Sequence, residues 1–197
     1  MTIAGVNLAV AAGIVAAIGG ISRFNGPQKL VSYFGLNPRL RQSELGAAHH
    51  GRISKIGRSH ARAMLVEAAW AAAKAAGPMR ASFVRIHARR GHQIAAVAVA
   101  RKLTVLCWHL LTKGEDYLCA RPALVVNKTR AMQLQAGHPQ QKGSWRGPAY
   151  AYNIKVLRDR EMLIAAQAEQ SYERFVAQWK PRRPKTGARA PQLGRTK

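Results

Sequence analysis

The sequence predicts an all-α fold: a compact helical domain with a helix-hairpin-helix-like start, a basic loop and a long C-terminal helix. Two observations predict it. Apolar side chains recur at three- and four-residue spacing in successive segments, the pattern of helices that bury one face. Between those segments stand helix breakers and starters: Gly19-Gly20, Gly26-Pro27, Gly77-Pro78, Gly91 and Gly114. A chain of 197 residues suffices for one domain with a core, or one domain plus an appendage.

The elements follow in order. Ile3-Ala4-Gly5-Val6-Asn7 reads as a tight turn opening an Ala-rich helix from about Leu8 to Ile18. This pair resembles the second half of a helix-hairpin-helix, whose turn offers backbone N–H groups to a phosphate; Gly5 and Asn7 are therefore candidate phosphate contacts. The first helix of such a pair would precede Met1, so the expectation is a chain that begins partway through a larger design. Residues 1–22 hold no charged side chain, yet they lack a signal peptide's basic start and are poor in large apolar residues for a membrane span. The expectation is a cytoplasmic protein without a membrane partner, with anchoring through this stretch as the alternative.

Pro27 suits the first position of a second helix, with Leu30, Val31 and Phe34 on one side and Gly35 at its end. A helix over Ser59 to Ala76 places Met64, Leu65, Ala68, Ala69 and Ala72 at core spacing. Met79 to Arg90 pairs a buried edge of Phe83 and Ile86 with a cationic face of Arg85 and Arg89. Gln93 to Thr112 is the most apolar helix and belongs at the centre, with Trp70 and Trp108 as core residues. After about Pro122 come a helix from Ala123 to Ala136, a Gly/Pro-bearing loop containing Trp145, and a long amphipathic stripe. That stripe comprises Ile154, Leu157, Ile164, Ala168, Tyr172, Phe175 and Trp179, interrupted by Glu161, and suits packing on the domain or pairing with another helix. The tail from Lys180 is basic, Pro- and Gly-rich, and expected to be disordered. Three parts result: a helical domain over 1–120, a helical extension over 121–179 and a tail over 180–197.

Between the second and third helices lies the stretch with chemistry in it. From Pro38 to Arg62 the chain reads PRLRQSELGAAHHGRISKIGRSHAR, a loop or short hairpin feeding a helix near Ser59. It sets Ser43, one of its three serines, among Arg39, Arg41, Arg52, Lys55, Arg58 and Arg62, against the single acid Glu44. A hydroxyl among guanidinium groups is what attack on a phosphodiester needs, because cations neutralise the substrate and stabilise charge in the transition state. The alternative is a basic loop that grips phosphates and happens to contain a serine. Ser59 is a good N-cap, but His60 and Arg62 in the first turn oppose the helix macrodipole, at up to about 1 kcal/mol each. A bound anion would relieve that clash; so would side chains bent into solvent.

Lys and Arg number 32 against 8 Asp and Glu, a formal net charge of +24. A polyanion is the expected partner, and nucleic acid outranks a membrane surface because the charge is spread over most of the chain. Only Glu44 and Glu67 precede Glu115. A two-metal nuclease needs several convergent carboxylates, so the chain by itself is not one, and no metal site is expected in it. Cys107 and Cys119 form neither a CxxC pair nor a zinc spacing, and two lone thiols fit a reducing cytoplasm.

With these residues in view, the sequence resembles the C-terminal Tnp domain of the bridge-RNA-guided insertion-sequence recombinases, whose full-length members begin with a RuvC-like DEDD domain. The resemblance runs through IAGVN, AAIGGISRF, KLVSYFGLNPRLRQS, GRISKIGRSHARAMLVEAAW and AVAVARKLTVLCWHLLTKGEDY, and GPAYAYNIKVLRDRE looks like a C-terminal extension of one branch. It implies a transposase in which Ser43, the serine of the R-Q-S motif, attacks DNA and forms a phosphoserine link. It implies a structured guide RNA, an oligomer with composite sites, and phosphate holding by Arg39, Arg41, Arg52 and Lys55. The family's divalent metal belongs to the RuvC-like half, so no cofactor is expected in this chain. Glu44 stands where the family has Gly, and Asn7 where its turn reads Gly. The resemblance thus suggests a fragment of a transposase; the alternative is a non-catalytic nucleic-acid-binding remnant or regulator of full-length relatives.

Overall fold

The computed structural model describes residues 1–41, 49–138 and 154–179. Seven helices and one two-stranded sheet make up the described chain: α1 (Leu8–Ile18), α2 (Pro27–Tyr33), β1 (Pro38–Arg41), β2 (His49–Ile53), α3 (Ser59–Lys74), α4 (Pro78–Arg90), α5 (His92–Lys113), α6 (Pro122–Gln135) and α7 (Lys155–Gln178). The fold is mostly helical, as the periodicity implies, and the basic loop takes the short-hairpin option. The strands pair antiparallel with Leu40 opposite His50, Arg41 opposite His49 and an irregularity between Pro38 and Leu40.

Each boundary has a local cause. Asn7 Oδ1 accepts a hydrogen bond from Val10 N–H at 2.9 Å and so starts α1, while Gly19 ends it with positive φ. Pro27 and Pro78 open α2 and α4 where a missing N–H costs nothing. Gly114 closes α5 in the left-handed conformation. One expected cap is corrected: Arg58, not Ser59, occupies the N-cap of α3, without a side-chain capping bond. The chain turns at Arg58 because its N–H is tied to Tyr33 C=O and its guanidinium to the Tyr33 hydroxyl, so Ser59 is already helical.

α5 is the central helix. Ala95, Ala96, Val99, Ala100, Leu103 and Thr104 are buried along it, against α2, α3 and α4. Alanine at three of those six positions lets the neighbouring helices approach closely. Leu30, Val31, Phe34, Leu36 and Leu65 complete the core, each large side chain contributing about 1.5–3 kcal/mol by its burial. Trp70 and Trp108 pack against this core, and Trp108 Nε1 donates to Phe24 C=O at 3.0 Å. α5 is also long and apolar enough to cross a membrane, but it is the helix the rest of the domain packs around. α1, with 11 residues, is too short to do so.

The long helix α7 corrects the predicted stripe. Ala165 is buried and Ala168 and Tyr172 face inward, but Phe175 (64 % exposed) and Trp179 (60 %) do not, and Ile164 stays exposed as well. Glu161, read as an interruption, is one of the docking residues. Its carboxylate accepts from Ala123 N–H at 2.7 Å, at the start of α6, and lies 3.5 Å from the Arg121 guanidinium. Glu169 repeats the device one packing layer on: it accepts from Gly77 N–H at 3.1 Å, at the start of α4, and pairs with Arg80 at 3.3 Å. Both carboxylates sit where helix macrodipoles are positive. Lys102 donates to the Tyr172 hydroxyl and completes the contact.

Candidate nucleic-acid interface

The candidate site is the end of the molecule where α2 stops, the hairpin projects and α3 starts. Two glycines make that junction. Gly35 has φ +69°, and a Cβ there would come within 2.4 Å of Ile56 C=O; Gly57 has φ +128°, and a Cβ would come within 2.1 Å of Tyr33 C=O. Neither position admits a side chain, because two backbone segments touch there. Leu36 N–H to Val31 C=O, Ser54 N–H to Asn37 C=O, Lys55 N–H to Gly35 C=O and Arg58 N–H to Tyr33 C=O stitch the hairpin's base to α2. Both feet of the hairpin are therefore held on the core through α2, whose Leu30 and Val31 are fully buried.

On this base the predicted cations are placed as follows. Arg39, on β1, is exposed and its Nη2 donates to Ser54 C=O at 3.1 Å across the hairpin's foot. Arg52, on β2, and Lys55 are exposed, and neither makes a side-chain bond among the described residues. Lys55 has φ +58°, the one described non-glycine residue in the left-handed region, a conformation that costs roughly 1–2 kcal/mol. Arg58 Nε donates to the Tyr33 hydroxyl at 2.8 Å, and its guanidinium lies 5.7 Å from that ring's centre. Arg41 lies in β1 by its backbone, while its side chain is outside the described residues. Ser43 and Glu44 are outside them too.

Arg62 is different. It is part-buried, and its Nη1 donates to Phe34 C=O at 3.0 Å. A cation in the first turn of α3 opposes that helix's dipole, but here it also meets the negative C-terminal end of α2. Part of the electrostatic clash legible in the sequence is thus relieved inside the fold. Arg62 thus binds the start of α3 to the end of α2.

Gly5 and Asn7 lie on α1's entry turn, and both have structural roles there. A Cβ on Gly5 (φ +85°) would come within 2.5 Å of Ala68 C=O, so this glycine lets the turn approach the α3 backbone. Asn7 caps α1. The turn's carbonyls converge on a cation: Lys128 Nζ donates to Met1, Ile3 and Val6 C=O at 3.2, 3.2 and 3.0 Å. Burial lowers the Lys128 pKa, and the three carbonyls replace the water it loses.

Tyr33 is the site residue that sequence reasoning missed. Its ring stands between two guanidiniums, Arg58 and Arg23, the latter 4.9 Å from its centre and 5.0 Å from that of Phe24. The hydrogen bond from Arg58 holds the phenol below its ordinary pKa, against a small opposing effect of burial and with the charges of Arg58 and Arg23 adding. Arg58 is thereby fixed in direction, and Arg23 is brought to the same surface as the hairpin's foot. No spacing rule links residues 23, 33 and 58, so the cluster was not legible before folding.

The ion pairs among the described residues are Arg80–Glu169, Lys113–Glu115 and Arg121–Glu161. None reaches the cations of this end. Arg23, Arg39, Arg52, Lys55 and Arg58 therefore create a positive field that no described carboxylate cancels, and its natural complement is a string of phosphates. Among the described residues, no group of three His, Cys, Asp or Glu side chains could hold a metal ion.

Residues 1–85 match the sequence model of the family described as Transposase IS116/IS110/IS902 family. The matched segment contains α1, α2, the hairpin, α3 and the first half of α4, so every candidate site residue falls inside it. The match supports a transposase domain, and with it an interaction with DNA, over less than half of the 197 residues. No curated protein matches the chain.

Proposed function

We propose that this chain is the DNA-binding, serine-bearing part of a transposase, in which the hairpin end holds the DNA backbone while Ser43 cleaves and rejoins it. The observation that carries the reading is the concentration of Arg23, Arg39, Arg52, Lys55 and Arg58 around the base of the hairpin that carries Ser43, with no described carboxylate paired to any of them. In the proposed step, Ser43 Oγ attacks phosphorus and a bond from phosphorus to a deoxyribose oxygen breaks. The serine proton passes to a general base, and the departing deoxyribose oxygen takes up a proton from a general acid or water to leave as a hydroxyl. The phosphodiester's energy is retained in the phosphoserine link, so rejoining is the same step run backward. The guanidiniums would stabilise the charge that builds on the non-bridging oxygens.

The family's divalent metal does not fit the residues described here. Glu161 and Glu169 are taken by helix starts, Glu115 pairs with Lys113, and no three acids converge. The proposal therefore assigns metal chemistry to a RuvC-like half, and a structured guide RNA and an oligomer to the assembled enzyme. Its test is a denaturing gel of this chain with a RuvC-like half, guide RNA and DNA. A protein–DNA adduct that disappears in Ser43→Ala is expected; equal adduct in both proteins contradicts the role of the serine.

A second reading, a non-catalytic nucleic-acid binder that regulates full-length relatives, draws on Glu44 beside the serine. A carboxylate next to the nucleophile repels the incoming phosphate. Under that reading Glu44→Gly gains DNA affinity and still forms no adduct in the assembly above.

A further inference from the structure

A second surface of the molecule, at the corner where α4 ends and α5 begins, combines charge with exposed rings. Four rings stack there in a layer. Phe83, buried on α4, lies parallel to His87 at 5.8 Å and 8°. His92, at the start of α5, sits edge-on to both, 5.2 Å from Phe83 and 5.3 Å from His87. Trp70, on α3, closes the layer 4.3 Å from His92. Both imidazoles are exposed. His87 is thus an exposed ring lying parallel to the buried Phe83 ring.

Two of the helices that build this ledge, α3 and α4, also carry cations. Arg85, Arg89 and Arg90 on α4 and Lys74 on α3 are all exposed, and none is in an ion pair among the described residues. The C-terminal dipole of α4 favours one or two cations in its last turn. It does not account for two solvent-facing imidazoles resting on buried rings. Flat rings beside arginines are the chemistry that takes unpaired nucleotides, whose bases stack while their phosphates pair with cations. A duplex, with its bases inside, would use the arginines and leave the rings idle.

We propose that the α4–α5 corner is a binding site for a single nucleic-acid strand, with a base stacked on His87 and the adjoining phosphates on Arg89 and Arg90. Trp70 lies eight residues along α3 from Arg62, about 12 Å at the helical rise. The corner is therefore a different place from the hairpin end, and its key residues lie beyond the segment that matches the transposase family. A strand leaving the hairpin along α3 meets the ledge within a few nucleotides. The inference does not depend on catalysis by Ser43.

The test uses the full chain, with fluorescence anisotropy of labelled oligothymidylate, oligouridylate and a duplex of equal length at one moderate salt concentration. The combined variant His87→Ala, Arg89→Ala, Arg90→Ala should bind either single strand about tenfold or more weakly. The duplex should lose far less. Arg158 and Arg160, exposed on α7, supply the matched control: removing both takes away the same guanidinium charge and should weaken single strands only about two- to threefold. His87→Ala alone should cost several-fold for single strands and nothing for duplex. All these positions are exposed, so an unchanged circular dichroism spectrum is expected. Equal losses in the ledge variant and the control overturn the proposal, as does a single-strand affinity indifferent to His87. The triple variant Arg39→Ala, Arg52→Ala, Lys55→Ala should keep the single-strand effect of the ledge substitutions, which separates a failure here from a failure at the hairpin.

Discussion

The two ends of this molecule treat charge in opposite ways. At the α7 end, each docking carboxylate accepts from a helix-start N–H and is ion-paired with an arginine: Glu161 with Ala123 and Arg121, Glu169 with Gly77 and Arg80. At the hairpin end, Arg39 bonds a backbone carbonyl, Arg58 and Arg23 lie on the Tyr33 phenol, and Arg52 and Lys55 make no side-chain bond among the described residues. In a chain with a net charge of +24, the described acids that fold the protein are kept away from the cations expected to bind. Charge at one end is a structural fastener. At the other it is left open for a ligand.

The contrast can be broken from either side, and the largest effect on stability should come from α7. Arg121 and Glu161 are each 13 % exposed, so truncating one partner strands the other in a poorly solvated place. Glu161→Ala should cost about 3 kcal/mol in chemical denaturation while leaving duplex affinity within about twofold. A loss of DNA binding in that variant, with the fold intact, would mean that the two ends are not separate in function.

The junction beneath the hairpin comes next. Gly57→Ala places a methyl group against Tyr33 C=O and requires a side chain at φ +128°. It should cost roughly 2–3 kcal/mol and, unlike Glu161→Ala, weaken duplex binding as well, because the cations lose their common base. Retained affinity after this substitution would show that the cations bind independently of the hairpin's geometry.

Smaller still is Tyr33→Phe, which removes one partner of an exposed hydrogen bond and should cost about 1 kcal/mol or less. Its more telling companion is Arg58→Ala. The folded phenol titrates below its ordinary value, so the extra stability from its ionised form is present only at high pH and is lost as pH falls through the folded pKa; at neutral pH only the hydrogen bond of the neutral phenol remains. Removing Arg58 should move the Tyr33 titration upward, read from phenolate absorbance against a Tyr33→Phe baseline. An unmoved titration would mean that Arg58 is not held on the phenol in solution.

Much of this was legible in the sequence, and for identifiable reasons. Pro27, Pro78, Gly91 and Gly114 stand at helix ends because backbone conformation there depends on those residues alone, and the limits of α1 follow from Asn7 and Gly19. The buried face of α3 follows from periodicity, whereas for α5 only the central place was legible: its buried face is Ala95, Ala96, Val99, Ala100, Leu103 and Thr104, while the larger Ile94 and Leu111 are exposed. What escaped depends on partners distant in sequence. Glu161 looked like a flaw in an apolar stripe because nothing nearby shows that α6 begins against it, 38 residues earlier. Phe175 and Trp179 looked inward-facing because spacing gives a face but not which part of it is covered. Arg62 read as a phosphate ligand, since its reach to Phe34 C=O depends on the hairpin folding back. Ser43 itself, the residue the chemistry turns on, lies outside the described residues, so its role rests on the pattern of its neighbours.

The account depends most on the hairpin end being where DNA phosphates are held. The direct measurement is duplex affinity as a function of salt for the parent and for Arg39→Ala, Arg52→Ala, Lys55→Ala. These side chains are exposed, so each should change stability by no more than about 0.5 kcal/mol. If each neutralises one phosphate, the slope of log affinity against log salt should become shallower by about 2.7. An unchanged slope with the fold intact would place the DNA somewhere else on this protein.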